Sequence, residues 1–214
     1  AKSGVNCKNC HAPENQEWNI KPGVETCNKC HLLETKGFLE SRHGMRLNQK
    51  NLSPMKPKLA RLAMKKDSLE KELKCNSCHG AHKYKTNLAE VKACLECHAD
   101  EHSVSYKNSK HMKLWNSKKK SNGKGVSCAG CHFSRKEIKT GGIKRILVNH
   151  NQNSTLRPNQ KMVRPVCMNC HGLGFSLDAL GDIKLVNNNF SESPENHIKI
   201  IEIVQLLRSE LNSK

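Results

Sequence analysis

The clearest alternation of apolar and polar positions lies at the C-terminal end of this chain. Ser193 can cap a helix and Pro194 suits a first helical turn. The apolar residues that follow recur every three or four positions, on a face shared with His197: Ile200, Ile201, Val204, Leu207 and Leu211. The pattern predicts an amphipathic helix over about residues 194–212, with His197 on its buried side near the start.

Two more helices are predicted between residues 32 and 74. The first covers Leu32 to Leu47 and contains His43. The second covers Pro57 to Lys74, with Pro57 in its first turn. It places these apolar residues toward one side: Leu59, Leu62, Ala63, Leu69 and Leu73. By contrast, Ile138 to Gln160 is rich in Gly and Asn, which predicts a loop with at most a brief strand. The chain is therefore predicted to be mainly α with extensive loops.

The composition leaves little material for an ordinary apolar core. Aromatic residues make up only 4% of the 214 residues, and the mean hydropathy is −0.72. No apolar run approaches the roughly 18 residues that a membrane span requires, so no membrane span is predicted. Something other than apolar side chains must fill the interior.

All twelve cysteines lie in six copies of the motif Cys-x-x-Cys-His. The copies are Cys7/Cys10/His11, Cys27/Cys30/His31, Cys75/Cys78/His79, Cys94/Cys97/His98, Cys128/Cys131/His132 and Cys167/Cys170/His171. Two thiols three residues apart reach the two vinyl groups on one edge of a porphyrin, and the adjacent His then lies under the iron. The motifs predict six covalently bound haem c.

Other uses of these cysteines fit the pattern less well. Zinc sites take Cys-x-x-Cys pairs in twos and do not demand a His directly after each pair. A thioredoxin-like redox motif occurs once, and disulfides need no histidine at all. Zinc remains the principal alternative to haem.

Six histidines lie outside the motifs, one for each predicted iron: His43, His82, His102, His111, His150 and His197. The equal numbers predict that every iron is ligated by two histidines, although one of the six Met could replace a histidine and raise the potential of its haem. His82 follows His79 by three residues, and His102 follows His98 by four. On a helical turn each would lie about 5–6 Å from that neighbour and on the same face, whereas two axial ligands approach from opposite faces. His82 and His102 are therefore expected to serve haems other than the preceding one.

Six haems change how the size and charge of the chain are interpreted. Each haem has about 36 residues, so we expect one compact domain over residues 1–214 whose core is largely porphyrin. The formal charge of +18 falls to about +6 once two propionates per haem are included. Most basic residues are then propionate partners or solvated surface rather than a nucleic-acid interface. The basic run over residues 117–125 predicts a flexible loop, with docking to an acidic partner as the alternative.

Covalent haem attachment takes place outside the cytoplasm, so the motifs predict an exported protein, periplasmic or extracellular. The chain begins with Ala and shows no signal peptide, which is consistent with a mature chain.

Several stretches resemble the hydroxylamine oxidoreductase-like family of multihaem cytochromes. They are Ser-Arg-His-Gly at 41–44, Cys-His-Gly-Ala-His at 78–82, residues 97–102 with Tyr106 and Ser109-Lys110-His111, and residues 170–178 with Asn189-Phe190. The resemblance implies that the six histidines outside the motifs are distal ligands. The enzymes of that family carry eight haems and a tyrosine beyond the haem core. Here there are six motifs, and neither Tyr84 nor Tyr106 follows the last one. The related pentahaem nitrite reductases use a Cys-x-x-Cys-Lys motif, which this chain lacks.

Two functions remain open on this basis. The first is electron transfer through closely packed bis-histidine haems, as a periplasmic shuttle or as the subunit of an extracellular conductive filament. Its partners would be redox proteins, extracellular electron acceptors or further copies of the chain, with His43 as a ligand that reaches an adjoining copy. The second is a small oxidoreductase that acts on hydroxylamine, nitrite or a sulfur oxyanion at one open haem. Whether the protein is an enzyme stays undecided, with electron transfer favoured.

Overall fold

Short helices joined by loops make up most of this protein. The computed structural model describes residues 4–15, 17–82, 85–117, 125–140, 142–197 and 199. In those ranges the α-helices are α1 (Cys7–His11), α2 (Val24–Asn28), α3 (Leu32–Glu40), α4 (Cys75–His79), α5 (Ala93–Cys97), α6 (Glu101–Ser105), α7 (Lys110–Asn116), α8 (Cys128–His132), α9 (Asn153–Leu156), α10 (Leu173–Gly181) and α11 (Ile183–Asn187). Single 3-10 turns and one π-helical turn, Leu88–Lys92, link several of them. The mainly α prediction with extensive loops is confirmed.

Three of the Cys-x-x-Cys-His motifs form a one-turn helix that begins at the first cysteine and ends at the histidine. These helices are α1, α4 and α8. The residue before the motif supplies a cap in α1 and α8: Asn6 Oδ1 accepts from Asn9 N at 3.3 Å, and Ser127 Oγ accepts from Gly130 N at 2.9 Å. One helical turn places residues three apart on the same face, so both thiols of a motif point toward the same side.

The second motif departs from this arrangement. Helix α2 ends at Asn28, after the first cysteine of the motif, and Cys30 lies in the turn that follows. The amide of Cys30 donates to Cys27 O at 3.2 Å, so the turn is closed by a hydrogen bond that spans three residues. Cys30 is exposed, as are Cys7, Cys78 and Cys170.

A two-stranded hairpin lies in the segment that was expected to be a loop. Strand β1 (Arg135–Thr140) pairs antiparallel with β2 (Ile143–Val148), from Arg135 opposite Val148 to Thr140 opposite Ile143. The expectation of at most a brief strand was wrong. The missed signal is the Gly141-Gly142 pair between two β-branched stretches, which is typical of a tight hairpin.

The helix predicted from Pro57 to Lys74 is absent from this described stretch. The segment holds two 3-10 turns, Pro57–Leu59 and Lys66–Ser68. Its backbone groups bond to other parts of the chain instead: Lys65 N donates to Cys97 O at 2.9 Å, and Ala99 N donates to Ala63 O at 3.0 Å. Pairing with the fourth motif therefore replaces the internal hydrogen bonds of a helix.

The other two predicted helices are shorter than expected. The helix from Leu32 ends at Glu40, and His43 lies in the turn that follows. Residues 193–197 are not helical, so a helix does not begin at Pro194. Residue 199 is helical, and residues 198 and 200–212 of the predicted C-terminal helix lie outside the described residues.

The polypeptide buries few apolar side chains. Its core cluster consists of Met162, Val163 and Leu180, while Leu32 and Phe175 are among the large apolar residues left exposed. The polypeptide exposes 15289 Å², against about 10,000 Å² for a compact monomer of this mass. The excess surface is what packed porphyrins would cover, as expected for a core that is largely porphyrin.

Candidate haem sites

Five of the six motif histidines face a histidine from a different stretch of the chain. We number the sites 1 to 6 in the order of their motifs. The ring centroids are 5.8 Å apart for His11 and His82 (site 1), 6.1 Å for His79 and His150 (site 3), 6.3 Å for His98 and His43 (site 4), 6.0 Å for His132 and His102 (site 5) and 6.4 Å for His171 and His111 (site 6). Neither His82 nor His102 faces the motif directly before it, which agrees with the argument from opposite faces.

These separations fit an iron held between two imidazoles. Metal–imidazole bonds are about 2.0 Å long, and the nitrogen lies about 1.1 Å from the ring centre, so two axial rings have centres about 6.2 Å apart. The spacing alone is not specific, since His111 and Phe190 lie 6.2 Å apart. What fits haem is that a second histidine lies at this distance from five of the six motif histidines.

Several of these rings are oriented through Nδ1, which leaves Nε2 for a metal. Nδ1 of His11 lies 2.7 Å from Asn19 O, and Nδ1 of His150 lies 2.9 Å from Val148 O. Nδ1 of His102 contacts the carbonyl of Val186. Ligating histidines commonly donate this second ring N–H to a carbonyl or carboxylate. At site 5, Asn189 Nδ2 lies 3.1 Å from His102 Nε2, a contact that a metal at Nε2 would replace.

Burial keeps the site 4 and site 5 imidazoles in the neutral form that binds metal. Burial, with a smaller contribution from His98, lowers the pKa of His43 to about 4. Burial lowers the pKa of His132 to about 4, and the charge of His102 is the next largest cause. Neutral imidazole is the ligating form, so neither ring must lose a proton near neutral pH.

Three of the facing histidines stand two residues after a side chain that fixes the local turn. Ser41 is fully buried, and its Oγ donates to Phe38 O at 2.7 Å and accepts from His43 N at 3.2 Å. Ser109 and Asp100 cap the helices that carry His111 and His102. The sequence analysis identified the histidines but not these three side chains. Each lies two residues before its histidine, and this repeated spacing could have revealed them.

Close backbone packing requires glycine at two positions near these histidines. A Cβ at Gly37 would lie 2.8 Å from Asn149 Oδ1 and 3.0 Å from His150 N, so α3 packs directly against the backbone that carries His150. A Cβ at Gly44 would lie 2.2 Å from Phe38 O, inside the turn that carries His43.

The motif cysteines place the sites in a row that follows the sequence. All twelve are free rather than disulfide-bonded. Cys10 shares an open cleft with Thr26 and Lys29, next to the second motif. The thiols of Cys27 and Cys75 are close enough to shift each other's pKa, and so are those of Cys94 and Cys128. These contacts link sites 1 and 2, 2 and 3, and 4 and 5.

The two remaining links in the row come from neighbouring thiols. Desolvation by the surrounding atoms, followed by the charge of Cys94, raises the pKa of Cys78 to about 11, which places sites 3 and 4 side by side. Burial, followed by the charge of Cys167, raises the pKa of Cys131 to about 12, which does the same for sites 5 and 6.

The predicted haem cysteines are not equally enclosed by the polypeptide. Cys97 is buried, and seven of the others are half-buried. The remaining four are exposed: Cys7, Cys30, Cys78 and Cys170. An exposed thiol is open to attachment of a porphyrin, so the position of Cys30 is compatible with its predicted role although it lies outside the interior.

Site 2 differs from the other five. Among the described residues no second imidazole faces His31. Cys30 and His31 are exposed, as are Cys170 and His171 of site 6, so the missing partner and not the exposure sets site 2 apart. His31 lies near Glu34, which accepts a hydrogen bond from Arg145 at 2.6 Å. Among the described residues, a second histidine therefore faces the motif histidine at every site except site 2.

His197, the sixth histidine outside the motifs, is held by a carboxylate. Its Nδ1 lies 2.6 Å from Asp178 Oδ2. Asp178 belongs to α10, which follows the sixth motif. The described contacts do not pair His197 with any motif histidine. Its role as a distal ligand therefore stays a prediction.

Five motif histidines paired across the width of an iron, each beside two free thiols, define a multihaem c-type cytochrome. The family model of cytochrome c3 matches residues 1–88 and again residues 68–142, which together cover more than half of the chain. The chain belongs to the cytochrome c3 family, which implies covalently bound c-type haem and electron transfer. No curated protein and no solved structure gives a match.

The family match bears on the sequence predictions unevenly. It confirms a multihaem c-type cytochrome but lends no support to the narrower resemblance to hydroxylamine oxidoreductase. Within the described residues, no three His, Cys, Asp or Glu side chains are grouped to hold a bare metal ion. None of the helices in that part of the chain is long and apolar enough to cross a membrane.

Proposed function

We propose that the chain binds six haem c groups, one per motif, and passes electrons along the row of sites 1 to 6. The observation that carries the proposal is the spacing of 5.8 to 6.4 Å between five pairs of histidine rings. When bound, haem supplies an iron that takes up and releases one electron. The protein holds neighbouring sites close together, as the contacts between their cysteines indicate.

The residues have distinct roles in this proposal. The twelve motif cysteines would hold the porphyrins covalently through thioethers, and the six motif histidines would bind the irons. His82, His150, His43, His102 and His111 would be the second histidines of sites 1, 3, 4, 5 and 6. Ligation by two histidines lacks the rise in potential that Met gives, so the potentials are expected to be low.

The setting of the protein follows from the same chemistry. Haem attachment outside the cytoplasm and the family membership support an exported protein, periplasmic or extracellular. Its partners are then redox proteins or extracellular acceptors, and it acts as a shuttle or as a subunit of a conductive filament. Exposed lysines are available to the haem propionates and to acidic partner surfaces.

Intact mass spectrometry tests the haem content. The mass should exceed the 24.1 kDa polypeptide by six haem groups. The double variant Cys167→Ser, Cys170→Ser should lose one haem group and serves as the calibrating control. A gain of five or fewer haem groups in the wild type, or bound zinc, would overturn the proposal.

A second function rests on site 2, where His31 faces no imidazole among the described residues. An open iron there would let the protein act as a small oxidoreductase on hydroxylamine, nitrite or a sulfur oxyanion. Turnover of one of these substrates, abolished when site 2 is blocked by cyanide, would support it. The resemblance of several stretches to hydroxylamine oxidoreductase, Asn189-Phe190 among them, is the sequence feature that favours this second function.

A further inference from the structure

A carboxylate lies beside the motif histidine of site 4. Oδ2 of Asp100 is 3.4 Å from Nδ1 of His98. In the described ranges no other motif histidine forms such a contact with a side-chain carboxylate. Where Nδ1 of another paired histidine has a partner, as in His11, His102 and His150, that partner is a neutral backbone carbonyl. In the part of the chain that the structure describes, site 4 is therefore set apart by a negative charge next to its axial ligand.

Both partners of this contact are held in place. Oδ1 of Asp100 accepts from Ser103 N at 3.2 Å, and Oδ2 accepts from Ser103 Oγ at 2.9 Å. The backbone on either side of His98 is bonded to residues 63–65. The contact therefore does not depend on a freely rotating side chain.

The charge of Asp100 meets no lysine or arginine in an ion pair among the described residues. By contrast, Glu34 and Glu90, which are also largely enclosed, each pair with an arginine. The side chains of His98 and Asp100 are only 24% and 19% exposed. Water and salt screen a partly buried charge less than a surface charge, so the His98 ring experiences the carboxylate at close range.

We propose that Asp100 is a positioning residue of site 4, where it lowers the reduction potential of the haem through His98. A carboxylate at Nδ1 makes an imidazole a stronger base toward iron, and the stronger ligand favours ferric over ferrous iron. The inference rests on the proposed function, because it requires a haem at this motif.

The position of site 4 gives this shift a consequence for the whole row. Site 4 lies between sites 3 and 5, so electrons that travel the length of the row must cross it. An electron is less stable there than beside a neutral support, and it passes through site 4 instead of staying. Sites 1 to 3 and sites 5 and 6 are then two groups of haems joined by this step.

Asp100→Asn tests the inference in the haem-loaded protein at constant pH. Asn keeps the cap of α6, because its side-chain oxygen still accepts from Ser103 N, but it carries no charge. Spectroelectrochemical titration should show one component at a higher potential. At a fixed potential the ratio of ferric to ferrous iron in that component should fall about tenfold, which is about 59 mV for one electron. Intact mass should still show six haems.

Three further variants assign the shift and control for it. His43→Met identifies the component of site 4, because a thioether ligand raises the potential of that haem, and Asp100→Asn should move the same component. Glu101→Gln removes an equal charge from the neighbouring exposed residue of α6 and should leave every component in place. Ser103→Ala disturbs the same helix start without removing the charge and should shift the site 4 component far less.

Three outcomes would overturn the inference. The first is that the potentials of Asp100→Asn equal those of the wild type. The second is a shift confined to site 5, identified by His102→Met, which would mean that Asp100 acts by placing His102. The third is an equal shift in Ser103→Ala, which would assign the effect to the shape of the helix start. All three leave six haems attached, so they are distinct from a failure of the proposed function, which a lower haem count would show.

Discussion

Ser41, Asp100 and Ser109 each stand two residues before a histidine that faces a motif histidine. Their side chains hold the turn or helix start that aims the ring, and Ser41 and Ser109 are fully buried. The sequence shows the histidines plainly, because twelve histidines divide evenly between motif and non-motif positions. Which histidine faces which motif depends on contacts between distant segments, and no spacing along the chain determines it.

Replacing Ser41 with Ala should loosen the turn that carries His43. The change removes the hydroxyl that accepts from the amide of His43, whereas Phe38 O and the amide of Gly44 keep their bonds to the backbone of Ser41. We expect a loss of about 1–2 kcal/mol in the free energy of unfolding, measured by denaturant titration of the holoprotein. Ser53→Ala, an exposed change, is the matched control. Equal stability of the two variants would show that Ser41 does not anchor the turn.

Replacing His102 with Met should raise the potential of a single haem, at site 5, because a thioether ligand favours ferrous iron. Spectroelectrochemical titration should show one component shifted upward while five stay in place. The unshifted components act as the internal control. A shift at the haem next to His98 would show that His102 serves its own neighbouring motif and would contradict the observed pairing with His132.

His43 faces a motif of its own chain. The sequence suggested it as the ligand of an adjoining copy because it lies in the longest gap between motifs, but its ring lies 6.3 Å from that of His98 in the same chain. His43→Ala should therefore open one iron, at site 4, while six haems stay attached. Cyanide binding and intact mass on one sample measure both effects. A variant that binds no more cyanide than the wild type would show that His43 is not the ligand of site 4.

Among the secondary-structure elements, α3 and the β-hairpin together position site 3. Arg145 of β2 donates to Glu34 of α3 at 2.6 Å, and Gly37 packs against the segment that follows β2. Their contact places His150 opposite His79. Sequence periodicity found α3, but it missed the hairpin and predicted a helix over 57–74 that the chain does not form. In both segments, backbone hydrogen bonds to another stretch of the chain determine the structure. The periodicity of apolar residues within one segment does not predict such bonds.

Gly37→Ala should disturb site 3 through this contact. The added Cβ would lie 3.0 Å from His150 N, so the helix or the segment with His150 must move. We expect a loss of about 1–3 kcal/mol in stability and one iron with weakened distal ligation, read from denaturant titration and cyanide binding. Lys36→Ala, an exposed change in the same helix, should cause neither effect. Normal ligation in Gly37→Ala would show that the approach of α3 is not needed.

At the scale of the whole molecule, the interior depends on the cofactor. Among the described residues the buried apolar side chains are few, and the cluster of Met162, Val163 and Leu180 is small for a chain of 214 residues. The composition alone predicted this, since few aromatic residues and a low mean hydropathy leave no ordinary core. The order of sites 1 to 6 in space could not be predicted, because it rests on contacts such as that of Cys94 with Cys128.

Chain produced without haem attachment should therefore be largely unfolded. Folding here depends on cofactor ligation, as in small metal-dependent domains. Far-ultraviolet circular dichroism should show little helix in the apoprotein, and amide hydrogen exchange should show no protected core. The haem-loaded protein at the same concentration is the control. A cooperative thermal transition in the apoprotein would show that the polypeptide has a sufficient core of its own.

The central claim is that each motif carries a haem and that the iron lies between two histidines at sites 1, 3, 4, 5 and 6. Electron paramagnetic resonance of the oxidised protein, read against its haem content, tests it most directly. The account predicts six haems per chain and low-spin ferric signals of the bis-histidine type for at least five of them. Fewer than six haems, or high-spin signals from more than one of them, would contradict it.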